Sequence, residues 1–195
     1  MRVILTGGIG TGKSTVLAMF SEQGAKTYVA DLEAKRLMTE DQDLKFAISE
    51  LFGSLSYLED GSLNRSFIAD IVFRDKSKLT ALNALVHPAV ERDFKAYSQR
   101  NKDEIVIYES ALVTDRKNGF FDVLICVTAP LEERLKRVSQ RDGMKSEDIL
   151  LRIKNQISEQ DYRVNADFVV ENKDLTTTKS TVLDIYDKLL SMLKN

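Results

Sequence analysis

Leu5-Thr6-Gly7-Gly8-Ile9-Gly10-Thr11-Gly12-Lys13-Ser14-Thr15 is the stretch that decides the fold of this chain. Within it, Gly7 to Ser14 meet the pattern G-x-x-x-x-G-K-[ST] in full. The surroundings suit the pattern. Val3–Leu5 is an apolar run that reads as a buried strand, and Lys13–Gln23 follows with helical spacing. Glycines let the backbone turn tightly, so that successive N–H groups aim inward at phosphate oxygens. The helix adds the positive end of its dipole. Lys13 brings an ammonium for the β- and γ-phosphates, and Ser14 a hydroxyl for Mg²⁺. The competing reading is a Gly-rich strand-to-helix turn with no chemistry, and the context argues against it. The loop alone separates neither a kinase from a GTPase nor either from a mechanical ATPase.

Further strands are read outward from the loop. Ile105–Tyr108, Val123–Val127 and Phe168–Val170 are short apolar runs, and Thr27–Val29 is a weaker one. None alternates, which is the pattern of parallel strands covered on both faces. Helical spacing fills the intervals at Lys13–Gln23, Leu131–Arg141, Ser146–Glu159 and Thr178–Leu193, and over a long stretch from about Asp31 to Arg100. Asp60-Gly61 marks a turn inside that stretch. Strands alternating with helices predict an α/β fold with a five-stranded parallel sheet flanked by helices. The long helical insertion between the second and third strands is a natural second-substrate lobe.

The 195 residues suit a single domain. Hydrophobic residues at 43% and charged residues at 30% are ordinary for a soluble protein. A net charge of −2 lacks the basic surplus of a nucleic-acid binder. No run approaches the ~20 apolar residues of a membrane span, and Gly7-Gly8 ends the N-terminal apolar stretch too early for a signal peptide. The one cysteine, Cys126, lies inside an apolar run and reads as a small buried hydrophobe. The expectation is a cytoplasmic protein with no nucleic-acid or membrane partner. A monomer is expected, with weak self-association as the alternative.

Six further residues, in four groups, bear on chemistry. Asp31 lies just past the second strand, where the ligand crevice of an open α/β sheet opens. It is either a base that orients an attacking hydroxyl or the N-cap of a helix starting at Leu32. Arg134, Arg137 and Arg141, spaced i, i+3, i+7, share one helix face. They form either a phosphate clamp or a solvated surface in which Glu132 and Glu133 pair with Lys136 and Arg137. His87, before Pro88, reads first as a helix-junction residue opening a new helix and second as a pocket residue. Glu109, ending the third strand, is either a water-mediated support for Mg²⁺ or structural.

Together these residues resemble the dephospho-CoA kinase family over nearly the whole chain. Leu5 to Thr15 looks like that family's form of the phosphate loop. Asp31-Leu32-Glu33-Ala34 is similar to the end of its Asp-Ala-Asp-x-x-Ala signature. Phe52-Gly53, Asp60-Gly61 and Leu63-Asn64-Arg65 resemble its acceptor lobe, and His87-Pro88 its His-Pro junction. Arg137, Arg141-Asp142-Gly143, Arg152-Ile153 and Gln156 are similar to its lid. Ala166 to Val170, then Asn172, is similar to its last strand and adenine-side loop.

The resemblance implies an ATP-dependent phosphorylation of the ribose 3′-hydroxyl of 3′-dephospho-CoA, giving CoA and ADP. It implies a core at about 1–30, 101–133 and 160–195, an acceptor lobe at about 31–100 and a lid at about 134–159. It makes Asp31 the base, and Lys13, Arg137 and Arg141 its catalytic partners. It assigns ATP to Gly10, Thr11, Gly12, Lys13, Ser14, Thr15 and Asn172, the acceptor to Thr6, Asp31, Arg65 and His87, and Mg²⁺ to Ser14. Two positions depart from the pattern. Val29 stands where the family has its first Asp, so an acid that would share a face with Asp31 is missing. Ala111-Leu112-Val113-Thr114-Asp115 replaces the usual Pro-Leu-Leu-Phe-Glu. The alternatives are another P-loop small-molecule kinase, for nucleoside monophosphates or sugars, and a non-kinase nucleotide switch. Against a GTPase, no Asn-Lys-x-Asp occurs, since Asn172-Lys173-Asp174 meets it only in part.

Overall fold

In the computed structural model, which describes residues 1–116 and 119–194, five parallel strands form one sheet in the order β2-β3-β1-β4-β5. They are β1 (Arg2–Thr6), β2 (Lys26–Val29), β3 (Val106–Glu109), β4 (Val123–Thr128) and β5 (Phe168–Glu171). Each falls on an apolar run, shifted at its ends by one residue at most, as at β2, where pairing begins at Lys26 and not Thr27. The chain divides into two compact units, Met1–Val29 with Arg100–Asn195, and Ala30–Gln99.

The first unit holds the sheet. Period-2 alternation sends Val3, Leu5, Ile107, Val123, Ile125 and Val127 to one face. There they pack with Val16, Leu17 and Phe20 of α1 (Lys13–Glu22) and with Val182, Ile185 and Leu189 of α9 (Leu175–Leu193). The alternate residues Ile4, Leu124 and Cys126 are equally buried, with Tyr28, Tyr108 and Phe121 in ring contact nearby. A strand without a solvent face has no alternation to show, which is why these strands read as continuous apolar runs. β1 is the central strand; the chain leaves it for β2 on one side and later crosses from β3 to β4 on its other side, so the carboxyl end of β1 is the switch point of the sheet.

Three helices follow β4: α6 (Leu131–Asp142), α7 (Ser146–Lys154) and α8 (Glu159–Val164). Gly143, at φ +67°, stops α6 as the Arg141-Asp142-Gly143 sequence suggests. The single helix expected over Ser146–Glu159 is instead two. Ser158 accepts a hydrogen bond from the Asp161 N–H and caps a new helix, so Asn155–Ser158 becomes a break. The last helix starts earlier than its apolar stripe, at Leu175, because Asp174 accepts from the Thr177 N–H as its N-cap.

The second unit is helical: α2 (Ala30–Glu40), α3 (Gln42–Phe52), α4 (Arg65–Arg74) and α5 (Lys76–Arg100), with a 3-10 turn at Ser54–Ser56. The turn at Asp60-Gly61 forms as expected. The Ser62 N–H donates to Asp60, Gly61 takes φ +81°, and Tyr57 bridges to Leu63. Arg36 donates to Glu33, Glu40 and Asp93 at 2.6, 3.0 and 2.9 Å and ties α2 to α5. Two expectations fail here. Helix α2 starts at Ala30, so Asp31 lies in its first turn and does not cap a helix at Leu32. Pro88 sits inside α5 and opens no new helix. Its missing N–H frees only the Ala84 carbonyl, and a 25-residue helix carries that loss.

Candidate active site

The carboxyl end of β1 runs directly into the phosphate loop. Gly7, Gly10 and Gly12 take φ of +143°, +78° and +88°. A Cβ on Gly12 would stand 2.0 Å from Asn172 Nδ2, so this position requires glycine twice over, by conformation and by space. Gly12 is also the N-cap of α1 and supplies no side-chain cap, which leaves the helix's first N–H groups for a ligand. Ser14 and Thr15 are exposed in that first turn.

The loop's carbonyl oxygens are held by the protein around them. Lys13 Nζ donates to Gly7 O at 2.8 Å, and Thr11 Oγ1 to Gly8 O at 2.9 Å. Arg134 Nε donates to Ile9 O at 2.9 Å, and Asn172 Nδ2 to Thr11 O at 2.9 Å. Holding the carbonyls in this way is what a nest of inward N–H groups requires. Lys13 also lies 3.8 Å from Glu109 Oε1, the residue paired in register with Val29.

The three arginines of α6 have different fates. Arg134 is 8% exposed, and burial lowers its guanidinium pKa against the opposing pull of Glu159. Arg137 donates to Asn172 O at 2.9 Å and, more weakly, to Thr11 O at 3.4 Å. It also meets Glu133 at 3.8 Å, the i, i+4 pairing expected of a solvated face. Arg141 is exposed and paired with Asp142 through two 2.8 Å bonds, which hold the carboxyl below the usual carboxylate range. A shared helix face therefore does not mean a shared role.

Other expected site residues divide in the same way. Asn172 is buried, and its amide is used internally, donating to Thr11 O and accepting from Thr178 Oγ1 at 3.2 Å. Thr6 is fully buried, and its hydroxyl has no hydrogen-bond partner among the described residues. In the second unit, Asp31, Arg65 and His87 are all exposed, at the first turn of α2, the start of α4 and the middle of α5.

Residues not singled out from the sequence complete the first unit's site. Arg163 Nη2 donates to Thr128 Oγ1 at 3.2 Å and pairs with Glu159 at 3.0 Å. Tyr162 Oη donates to Ala111 O at 2.7 Å and Asn165 Nδ2 to Thr114 O at 3.1 Å, so α8 and its end fasten the loop after β3. Beside the phosphate loop lies a cavity of about 50 Å³ lined in part by Gly8, Thr11, Thr128, Arg134 and Tyr162. Only the charge pattern on α8 could have signalled these, and it looks like any solvated helix.

A parallel five-stranded sheet with a complete phosphate loop at its switch point, Lys13 at the helix start and arginines leaning on the loop define a P-loop kinase. The dephospho-CoA kinase family model matches residues 1–177. The dephospho-CoA kinase of Salinibacter ruber is 40% identical over 172 residues, covering 86% of each chain. The crystal structure of TT1252 from Thermus thermophilus superposes with a TM-score of 0.81 at 31% identity, covering 97% of each chain. The dephospho-CoA kinase from Campylobacter jejuni shares the fold, with a TM-score of 0.66 at 22% identity over 96% of each chain. The chain belongs to the dephospho-CoA kinase family.

Proposed function

We propose that this kinase transfers the γ-phosphoryl group of ATP to the ribose 3′-hydroxyl of 3′-dephospho-CoA, releasing CoA and ADP as the last step of coenzyme A biosynthesis. The observation that carries the reading is the family match across residues 1–177, over a chain whose phosphate loop is complete and anchored. In the reaction the 3′-oxygen attacks the γ-phosphorus, the bond to the β–γ bridging oxygen breaks, and the hydroxyl proton leaves to a base. Asp31 is the base by its chain position, two residues beyond the end of β2. Gly10, Thr11, Gly12, Lys13, Ser14 and Thr15 cradle the phosphates. Asn172 serves ATP through the loop, since its amide is taken up by Thr11 and Thr178.

Arg141 is the arginine with reach, because it is exposed and, among the described residues, bonded to its neighbour Asp142 alone, while Arg137 steadies the nucleotide loop. Residues 134–159 act as the lid and 31–100 as the acceptor lobe, with Arg65, His87 and Thr6 on the acceptor's side. The described residues contain no cluster of three or more His, Cys, Asp or Glu able to cage a metal. The exposed Ser14 hydroxyl, with Glu109 through water, instead suits an ion that arrives on the nucleotide. When bound, Mg²⁺ neutralises charge on the β- and γ-oxygens. No helix among the described residues is long and apolar enough to cross a membrane, in keeping with work in the cytoplasm.

The test is a coupled ADP-release assay, with and without Mg²⁺, on a panel of dephospho-CoA, nucleoside monophosphates and sugar acids. Turnover is expected with dephospho-CoA and Mg²⁺. Preference for another acceptor overturns the assignment, and GTP hydrolysis without an acceptor points to a nucleotide switch.

A further inference from the structure

The Ile9 peptide of the phosphate loop is gripped from both sides. Its N–H donates to Gln156 Oε1 at 2.8 Å, and its carbonyl accepts from Arg134 Nε at 2.9 Å. Arg134 lies in the first turn of α6 and Gln156 in the break between α7 and α8, so two separate pieces of chain converge on one loop residue. Arg134 keeps its position despite burial, with Glu159 4.0 Å from Nη1. Burying a guanidinium is costly without partners, so this placement reflects a specific fit. The opposite lip of the loop has other anchors, since Thr11 O is held by Asn172 and Arg137.

We infer that Arg134 and Gln156 are positioning residues for phosphoryl transfer, fixing the Ile9 lip of the phosphate loop against the α6–α8 segment. The inference rests on the kinase reading above. Both act through Ile9 and not on the nucleotide itself. Ground-state binding of ATP draws on Lys13 and the uncapped start of α1, whose Asn172 and Arg137 anchors survive when the Ile9 grip is cut. What is lost is alignment of the loop, and misalignment of a positioned phosphate appears in kcat.

Gly8 offers an independent way to cut the same link. A methyl there would stand 2.7 Å from Arg134 Nη2 and 3.3 Å from Gln156 Oε1, striking both arms of the grip. Gly8 is not among the positive-φ glycines, so alanine suits its backbone.

Steady-state kinetics are measured for the wild type, Arg134→Met, Gln156→Met, Gly8→Ala and the double variant Gly8→Ala/Gln156→Met, with thermal melts to confirm folding. Each single change is expected to lower kcat about 10- to 100-fold while KM for ATP moves less than about threefold. The double variant should be no worse than its poorer parent by more than about twofold, because both changes cut one link. Near-normal kcat in Gln156→Met, losses that multiply in the double variant, or an effect confined to KM for ATP each overturn the inference. If Arg134→Met does not fold, half-buried Gln156 and Gly8→Ala carry the test. A wild type inert toward dephospho-CoA defeats the functional reading as well, whereas an active wild type with unimpaired variants defeats only the positioning role.

Discussion

Replacing Asn172 with alanine separates a residue that holds the phosphate loop from one that only touches nucleotide. Its Nδ2 donates to Thr11 O at 2.9 Å and its Oδ1 accepts from Thr178 Oγ1 at 3.2 Å, both in a buried setting. The substitution removes both bonds. Thr178 keeps its 2.6 Å bond to Asp174 O, so little is lost there. Thr11 O keeps only the long 3.4 Å approach of Arg137 Nη1, so the carbonyl is left nearly unsatisfied. A buried acceptor stripped of its partner costs about 1–3 kcal/mol, and about 2 kcal/mol is expected here. For a chain of this size that is about 4–8 °C in Tm, read by circular dichroism without nucleotide. The slackened loop should also raise KM for ATP. A Tm within about 1 °C of the wild type would refute the reasoning, since a residue serving nucleotide alone has no effect on the free protein. Thr178→Val should couple to it by about 0.5–1 kcal/mol in a double-mutant cycle.

Lys13→Ala should abolish measurable turnover while leaving the melting curve cooperative, because Lys13 lies at a half-open site and not in the core. Loss of folding instead would recast Lys13 as a structural strut. Asp31→Asn should lower kcat by well over about 100-fold with ATP binding nearly unchanged, and a near-normal kcat removes Asp31 as base. Burial pushes the Cys126 thiol up to about 11, so the folded state favours the protonated form. The unfolded chain ionises first, so this contribution to stability is whole below about pH 9 and lost as pH climbs toward 11. Cys126→Ala should flatten that stretch of the urea-stability profile, and an unchanged alkaline slope would count against the assignment.

The inner strands β1, β3 and β4 were legible because both of their faces are covered, so their apolar residues run unbroken, as in Val123–Thr128. Several helix boundaries were not. Pro88 reads as a helix start, yet it lies within α5, because one lost bond is small beside the rest of a long helix. The break at Asn155–Ser158 carries no proline or glycine, and only the turn of Ser158 onto the Asp161 N–H reveals it. Asp31, expected at a helix boundary, falls one residue inside the helix.

By itself the sequence determined that Gly7–Ser14 is a phosphate loop between a strand and a helix. The demand for glycine at positive φ, for a cation and for a hydroxyl is local, and consecutive residues meet it. What holds the loop was decided only by the tertiary structure. Asn172 reaches Thr11 across 161 positions, Gln156 reaches Ile9 across 147, and Arg134 reaches Ile9 across 125. Helical spacing makes Arg134, Arg137 and Arg141 equivalent on one face. Only the packing of α6 against the loop buries the first, ties the second to Asn172 and leaves the third with its neighbour Asp142.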